Sequence, residues 1–274
     1  MTYSIDIDRR ILIDATAGPW TRRVMRSARY GDPFQVGVYG SGGSEFFKLF
    51  NGVPDEAGTH ALIVRAPDLF AHVVSAAPFL VEASDAAGRS LPMRDWAASI
   101  VDRVSDRKRC EIDDVPGRFG STSVRIQVAA ALPAIPYAAG PWYVPVISAE
   151  CQPGRSIEAS VRCWCGTVAG RARRSLFIGC NYSQRSGSGG LDNEFIDSQL
   201  IAAAPDAYEF TRALHPTLTR VANATGGGSP DVRNLLSVSI GLLGTIAEDR
   251  NRFETEATQY AAELSAANER NTGE

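Results

Sequence analysis

The chain has 274 residues with 28 basic and 31 acidic side chains, and its formal net charge is -3. This balance argues against a protein that coats duplex nucleic acid, because such a protein needs a broad basic surface. No apolar run approaches the ~18 residues of a membrane span, and the N-terminus lacks the apolar stretch of a signal peptide, so we expect a cytoplasmic protein with no membrane partner.

The first third of the chain predicts strands followed by helices. Residues 3–13 alternate apolar and polar side chains, which is the period of a half-buried strand. An arginine-rich stretch at 22–29 precedes a second predicted strand at 34–38 and a glycine-rich loop. After the sequence APD at 66–68, apolar residues recur at helical spacing, and we expect Pro78 to stop this helix.

The middle of the chain predicts a linker and then further strands. A helix is expected to begin at Pro92, and the charged stretch 105–121 that follows it is the candidate linker. The clearest strand pattern of the chain lies at 157–165, and a shorter one lies at 176–178.

The last third predicts helices. One helical pattern begins at Asn193, restarts at Pro205 and is broken by three consecutive glycines. The final helix is predicted to run from Pro230 to about Asn268, with an apolar seam that Arg250 interrupts. Two interpretations of the seam stay open: it contacts a partner helix, including that of a second copy of the chain, or it belongs to a partly solvated tail.

Two similar segments recur along the chain at fixed spacings. QLIAAAPD at 199–206 matches ALIVRAPD at 61–68, 138 positions earlier, and AGPW at 139–142 matches the same four letters at 17–20. Self-similarity of this kind indicates that each copy is one structural unit. We therefore predict an α+β fold made of two tandem copies of a small domain, each an antiparallel sheet plus helices. The predicted divisions are copy one at 1–104, a linker at 105–121, copy two at 122–247 and a C-terminal helical extension at 248–274.

Residues that carry enzyme chemistry are sparse. The three histidines lie outside any recognisable catalytic sequence, and His72, set among apolar residues, is expected at a helix surface or boundary. The five cysteines lack metal-ligand spacing and are expected to be buried and reduced. We expect no catalytic residue, no bound metal and no cofactor, although an enzyme that uses carboxylates alone stays open.

The two helix starts at Pro92 and Pro230 are candidate phosphate sites. A helix N-terminus presents unpaired N–H groups and about half a positive charge, and an arginine fork pairs well with phosphate. Ordinary helix capping is the alternative explanation of the same residues. The candidate ligand-binding residues are those near the two starts and in the arginine-rich regions: Arg89, Arg94, Arg118, Arg125, Trp142, Ser229 and Arg233.

The sequence resembles a class of small phage and prophage proteins. Their pattern is GPW near the N-terminus and an NA-x-LIAAAPDLL helix near the C-terminus, which GPW at 140–142 and the segment 193–206 match. The match covers residues 139–247, with Ser198 in place of alanine and Ala207-Tyr208 in place of a leucine pair.

The chain is further similar to phage counter-defence sponges, which are small α+β proteins that sequester cyclic nucleotide or cyclic ADP-ribose signals. This similarity implies a non-enzymatic protein that binds a small phosphorylated nucleotide-type ligand in the cytoplasm of an infected bacterial host. Two alternatives stay open: a structural or protein-binding phage accessory factor, and a phosphodiesterase-type enzyme that degrades such a signal.

Overall fold

The computed structural model describes ten segments of the chain, and all structural statements refer to them: residues 15–26, 34–49, 55–87, 92–105, 134–138, 142–144, 158–165, 174–182, 190–224 and 229–272. The strands in these segments are β1 (Thr21–Arg26), β2 (Phe34–Tyr39), β3 (Glu45–Leu49), β4 (Trp142–Tyr143), β5 (Glu158–Cys165) and β6 (Arg174–Tyr182). The helices are α1 (Glu56–Val64), α2 (Ala66–Ala87), α3 (Pro92–Ser105), α4 (Gly190–Ala224) and α5 (Pro230–Thr272). The fold class is therefore α+β, with a long C-terminal helix, as the sequence predicts.

The six strands form one antiparallel sheet whose order is β1-β2-β3-β6-β5-β4. Strands from the first half of the chain make one side of the sheet, and strands from the second half make the other. They meet at the centre, where Lys48 pairs with Cys180 and Leu49 with Gly179. The order of the strands is thus symmetric about the β3–β6 pair.

The helices cover one face of the sheet. Alternate residues of β2 and β3, among them Val38 and Phe47, point toward this layer and are fully buried. In the helical layer α2 packs against α4, α3 packs against both, and α5 packs against α1, α2 and α4. One continuous apolar core joins residues of both halves of the chain, so the two predicted copies share their core.

Three prolines lie inside helices, which corrects two predictions. Helix α2 continues through Pro78 to Ala87, and α4 is a single helix that passes Pro205 and Pro216. A proline inside a helix removes one backbone hydrogen bond and costs roughly 3 kcal/mol. Both helices are packed against each other and against further helices, and this burial outweighs the loss.

The described strands and helices can be set against the remaining predicted elements. The strands expected at 34–38, 157–165 and 176–178 and the helix expected from Pro92 are confirmed. The final helix is also confirmed, and it is uninterrupted, so the predicted extension at 248–274 continues α5 rather than starting a new element. The strand predicted at 3–13 lies outside the described residues, as does all of the predicted linker except Ser105.

The helices were also compared with the requirements of a membrane span. In the described segments no single helix is both long and apolar enough to cross a bilayer, although α1 together with Ala66–Leu80 of α2, bent by 58°, has a suitable length and composition.

Candidate functional site

The tryptophans of the repeated AGPW sequence are both buried, and each makes the same hydrogen bond to the backbone. The indole Nε1 of Trp20 donates to the carbonyl oxygen of Thr16 at 2.8 Å, and that of Trp142 donates to the carbonyl oxygen of Ala138 at 2.9 Å. Each acceptor lies four residues before its tryptophan. Trp142, predicted as a ligand-binding residue, is therefore a core residue whose polar hydrogen is already used.

Each residue that accepts an indole hydrogen bond is itself held by a helix from the other half of the chain. The backbone N–H and the Oγ1 of Thr16 donate to the Asp197 carboxylate of α4, at 2.8 and 2.5 Å. The backbone N–H of Ala138 donates to Oγ1 of Thr59 in α1 at 2.8 Å. Thr59 and Asp197 are 138 positions apart, the spacing of the repeated segments. We call these contacts the Thr16 clasp and the Ala138 clasp.

A buried charged group lies beside the Thr16 clasp, where β1, α1 and α5 meet. The side chain of Arg22 is only 3% exposed. Its Nε donates to Nδ1 of His60 at 3.1 Å, its NH1 donates to the Glu256 carboxylate at 2.5 Å, and its guanidinium carbon lies 4.7 Å from the Phe253 ring centroid. We call Arg22, His60, Phe253 and Glu256 the Arg22 cluster.

The protonation of the Arg22 cluster follows from these contacts. Burial, together with the nearby Arg22 charge, lowers the pKa of His60 to about 3. The imidazole is neutral at pH 7, and because Nδ1 accepts from Arg22 the hydrogen must lie on Nε2. This Nε2 is buried without a hydrogen-bond partner in the described segments. Burial also lowers the pKa of Arg22, while Glu256 and Glu56 oppose that effect.

The equivalent place in the second half has different chemistry. The repeat spacings align Arg22 with Val144 and His60 with Ser198, and both of these are buried. The second half has a side-chain network of its own: the Tyr137 hydroxyl donates to Glu209 at 3.0 Å, and Arg212 donates to the same carboxylate at 2.7 Å. Burial, followed by the Glu209 charge, raises the pKa of Tyr137.

A second charged surface lies on β1, β2 and β3, on the opposite face from Val38 and Phe47. Arg23 pairs with Gly37 across β1 and β2, and Gly37 pairs with Lys48 across β2 and β3, so both cationic side chains leave the same face of the sheet. Arg23 is exposed and Lys48 is half-buried. Among the described residues neither of them forms an ion pair.

An aromatic ring and a carboxylate complete this surface. The Arg23 guanidinium lies 4.8 Å from the Tyr39 ring centroid, and the Tyr39 hydroxyl donates to Glu45 at 3.0 Å. The Glu45 carboxylate lies over Gly37, where an added Cβ would come within 2.8 Å of it. Burial and then Glu45 raise the pKa of Tyr39 to about 12. We call these five residues the Arg23–Lys48 surface.

The predicted phosphate-binding residues are only partly described. Arg89, Arg118 and Arg125 lie outside the described residues. Arg94 is half-buried in the first turn of α3, whereas Arg233 is exposed in the first turn of α5. Oγ of Ser229 accepts from the backbone N–H of Val232 at 3.3 Å, which is a helix-capping contact.

The two helix starts are supported by different neighbours. Helix α3 packs against α2 and α4, whereas α5 packs against α1, α2 and α4. The described contacts therefore do not join Arg94 and Arg233 into one site, and a phosphate site at either helix start stays a prediction.

One serine–histidine pair occurs in the described residues, and its geometry is structural. His72 is buried rather than at a helix surface or boundary, because α5 packs over it, and its Nε2 lies 2.9 Å from Oγ of Ser239. The Ser239 hydroxyl also lies 2.9 Å from the carbonyl oxygen of Leu235, and both side chains of the pair are buried. No group of three or more potential metal ligands converges within the described segments.

Comparisons with known proteins give no relative. No family model matches the chain, and neither the curated proteins nor the solved structures contain a significant match to it.

Sequence reasoning did not select the Arg22 cluster or the Arg23–Lys48 surface. One signal was available: in the strand TRRVMR the alternation of side chains sends Arg22 and Arg23 to opposite faces. No local pattern indicated that His60 and Glu256 would meet Arg22.

Proposed function

We propose that the chain is a tandem duplication of one α+β unit whose two copies are folded into a single body. The symmetric strand order supports this, since each half contributes three consecutive strands. The reciprocal clasps support it independently, because equivalent positions of the two halves make equivalent contacts, each to the opposite half. Duplication followed by such exchange resembles a symmetric dimer joined into one chain.

On this framework we propose a non-enzymatic protein that binds a small phosphorylated, nucleotide-type ligand on the Arg23–Lys48 surface. The observation that carries the proposal is the pair of cations on one face of a rigid sheet, with Arg23 stacked on Tyr39. The outer face of a stacked guanidinium accepts a base, and Lys48, about 10 Å away across two strand spacings, suits a phosphate.

We propose binding rather than catalysis because of the surroundings of two buried histidines. His60 is held neutral with its Nδ1 already occupied, and His72 is buried together with Ser239, where a substrate cannot reach them. Neither of them is placed to activate a nucleophile. A binder instead needs an accessible surface, and the sheet face supplies one.

The biological setting is proposed from the sequence resemblance. AGPW and QLIAAAPD resemble segments of phage and prophage proteins, and sponges among phage proteins bind immune signals such as cyclic nucleotides and cyclic ADP-ribose isomers. We propose that this chain sequesters a signal of this kind in the host cytoplasm and so counteracts anti-phage defence.

The test is a ligand panel with matched variants. Purified protein is incubated with cyclic dinucleotides, cyclic trinucleotides and cyclic ADP-ribose isomers, and both Tm and ligand integrity are followed. We expect one of them to raise Tm and to be recovered intact. The Arg23→Ala/Lys48→Ala double variant should lose this rise, while Arg252→Ala/Arg270→Ala, which removes two exposed arginines of α5, should keep it.

Glu45→Gln tests the same surface through an expected gain in ligand affinity. The Glu45 carboxylate repels an anion at this surface, so its neutralisation should tighten binding by about threefold to tenfold if a like charge contributes about 0.7 to 1.4 kcal/mol. Weaker binding by Glu45→Gln would argue against a phosphate at this position.

Three other results would redirect the proposal. Unchanged affinity of the Arg23→Ala/Lys48→Ala variant, together with loss of binding by Arg94→Ala/Arg233→Ala, would move the ligand to the predicted helix starts. A degraded ligand would make the protein a phosphodiesterase-type enzyme. If no member of the panel raises Tm, the sponge function is rejected.

A protein-binding accessory role is the second candidate, and one observation favours it. Beyond Phe253, helix α5 continues for 19 residues to Thr272 with most of its described side chains exposed. A chain truncated after Ala257 keeps Glu256 and removes most of the segment of α5 beyond Phe253. Loss of a partner from host or phage lysates with unchanged ligand binding would support the accessory role.

A further inference from the structure

The guanidinium of Arg22 is a buried positive charge that needs a neighbouring anion. Arg22 is 3% exposed, and a buried guanidinium without an anion is strongly disfavoured. Its counter-ion is Glu256, whose side chain is 35% exposed. The cation is therefore fixed in the interior, while the carboxylate that neutralises it stands at the surface.

Two contacts hold the guanidinium independently of Glu256. Nε is directed at Nδ1 of His60 at 3.1 Å, and the Phe253 ring lies 4.7 Å from the guanidinium carbon. His60 and Phe253 are themselves fully buried. If Glu256 rotated into solvent, the guanidinium would keep its position and present NH1 toward the opening that Glu256 had left.

We propose that the Arg22 cluster is an anion-binding site in which the Glu256 carboxylate occupies the place of an external oxyanion. The ligand class is a small tetrahedral or carboxylate oxyanion, either free phosphate or the terminal phosphoryl group of a larger molecule. This site lies on the helical side of β1, on the opposite face of the strand from Arg23. It does not depend on the proposed function of the sheet face.

Glu256→Gln separates an anion site from a structural ion pair. The experiment uses the full chain with Arg23→Ala/Lys48→Ala as background, so that phosphate on the sheet face cannot contribute. In this background Glu256→Gln removes the internal anion and should lower Tm. Sodium phosphate should restore Tm, whereas sodium chloride of equal ionic strength should not. Glu254→Gln, an exposed glutamate two positions earlier in α5, is the matched control and should show neither effect.

Calorimetry with inorganic phosphate measures the competition directly. An internal competitor lowers apparent affinity by the fraction of molecules in which the site is open, so Glu256→Gln should bind phosphate at least about tenfold more tightly than Glu254→Gln. Replacing Arg22 by methionine in the Glu256→Gln protein should abolish this binding. Adenosine monophosphate in a parallel titration distinguishes free phosphate from a terminal phosphoryl group as the preferred ligand.

Two results would overturn the inference. Equal phosphate affinities of Glu256→Gln and Glu254→Gln would show that Glu256 does not occupy an anion site. Recovery of Tm by chloride as well as by phosphate would show a general salt effect. Because the background lacks Arg23 and Lys48, failure here leaves the proposed function of the sheet face intact.

Discussion

The two halves of the molecule share a framework but differ in the chemistry beside it. In both, the indole of an AGPW tryptophan donates to the residue four positions earlier, and a helix of the opposite half holds that residue. The first half contributes a buried arginine in contact with a histidine, whereas the aligned positions of the second half hold valine and serine. These hydrogen bonds fix a few positions, and the side chains around them are free to diverge. Chemistry found in one half alone is therefore the better indicator of function.

The largest expected effect is on the free energy of unfolding, which should fall more when the Thr16 clasp is removed than when the Ala138 clasp is removed. Asp197→Ala removes the acceptor of two hydrogen bonds from Thr16, and a hydrogen bond to a charged group contributes about 1.5 to 3 kcal/mol, so we expect a loss of about 3 kcal/mol or more. Thr59→Ala removes one neutral acceptor and should cost about 1 to 2 kcal/mol. Urea unfolding measures both free energies. Equal losses would show that the clasps are equivalent in strength.

The second-largest effect is expected when Arg22 and His60 are replaced by valine and serine, the residues at the aligned positions of the second half. Arg22→Val leaves Nδ1 of His60 buried without its donor and removes the contact with Phe253, so we expect a loss of about 2 kcal/mol. His60→Ser should cost a similar amount. Because the two side chains contact each other, the double variant should lose about 1 kcal/mol less than the sum. Additive losses in urea unfolding would mean that the Arg22–His60 contact contributes little.

The third prediction concerns pH. Burial lowers the pKa of His60 to about 3 and that of His72 to about 4, below the unfolded value of about 6.5. The unfolded chain therefore binds more protons between about pH 4 and 6.5, and stability is lost as pH falls through this window. Each histidine contributes up to about 1.4 kcal/mol per pH unit. Replacing His60 by asparagine should flatten the dependence of unfolding free energy on pH, and an unchanged slope would contradict a depressed pKa.

The smallest expected effect lies in the second half. Tyr137→Phe removes the hydrogen bond to Glu209 but leaves Arg212 on the same carboxylate, so we expect a loss of about 1 kcal/mol. Differential scanning calorimetry measures it. A loss as large as that of Arg22→Val would remove the energetic contrast between the two halves.

Much of the fold could be predicted from the sequence. The alternation at 34–38 and 157–165 and the start of a helix at Pro92 gave correct elements because these patterns reflect which face is buried. Helix α1 was not predicted, since all residues from Gly58 to Val64 are buried and a helix enclosed on all sides has no amphipathic period. Pro78 was misjudged for a related reason, because the packing that retains it in a helix is tertiary.

The candidate sites could not be predicted from short stretches of the sequence. Arg22 and Glu256 are 234 positions apart, and only the folded chain brings them together. Of the predicted ligand residues, Trp142 is buried and uses its indole N–H in a hydrogen bond to Ala138, while Ser229 caps α5. The alternation in TRRVMR places Arg22 and Arg23 on opposite faces of the strand, but it does not show which of the two faces is buried.

The Thr16 clasp also has a consequence for the order in which the protein is made. Asp197 follows Thr16 by 181 positions, and at about 5 to 20 residues per second a ribosome needs roughly 10 to 40 s to cover that distance. During this time Thr16 waits without its acceptor, and the early strands have an unpaired edge at β3. The nascent chain is thus expected to depend on chaperones until α4 has left the exit tunnel, and codon changes that slow the second half should lower the soluble yield.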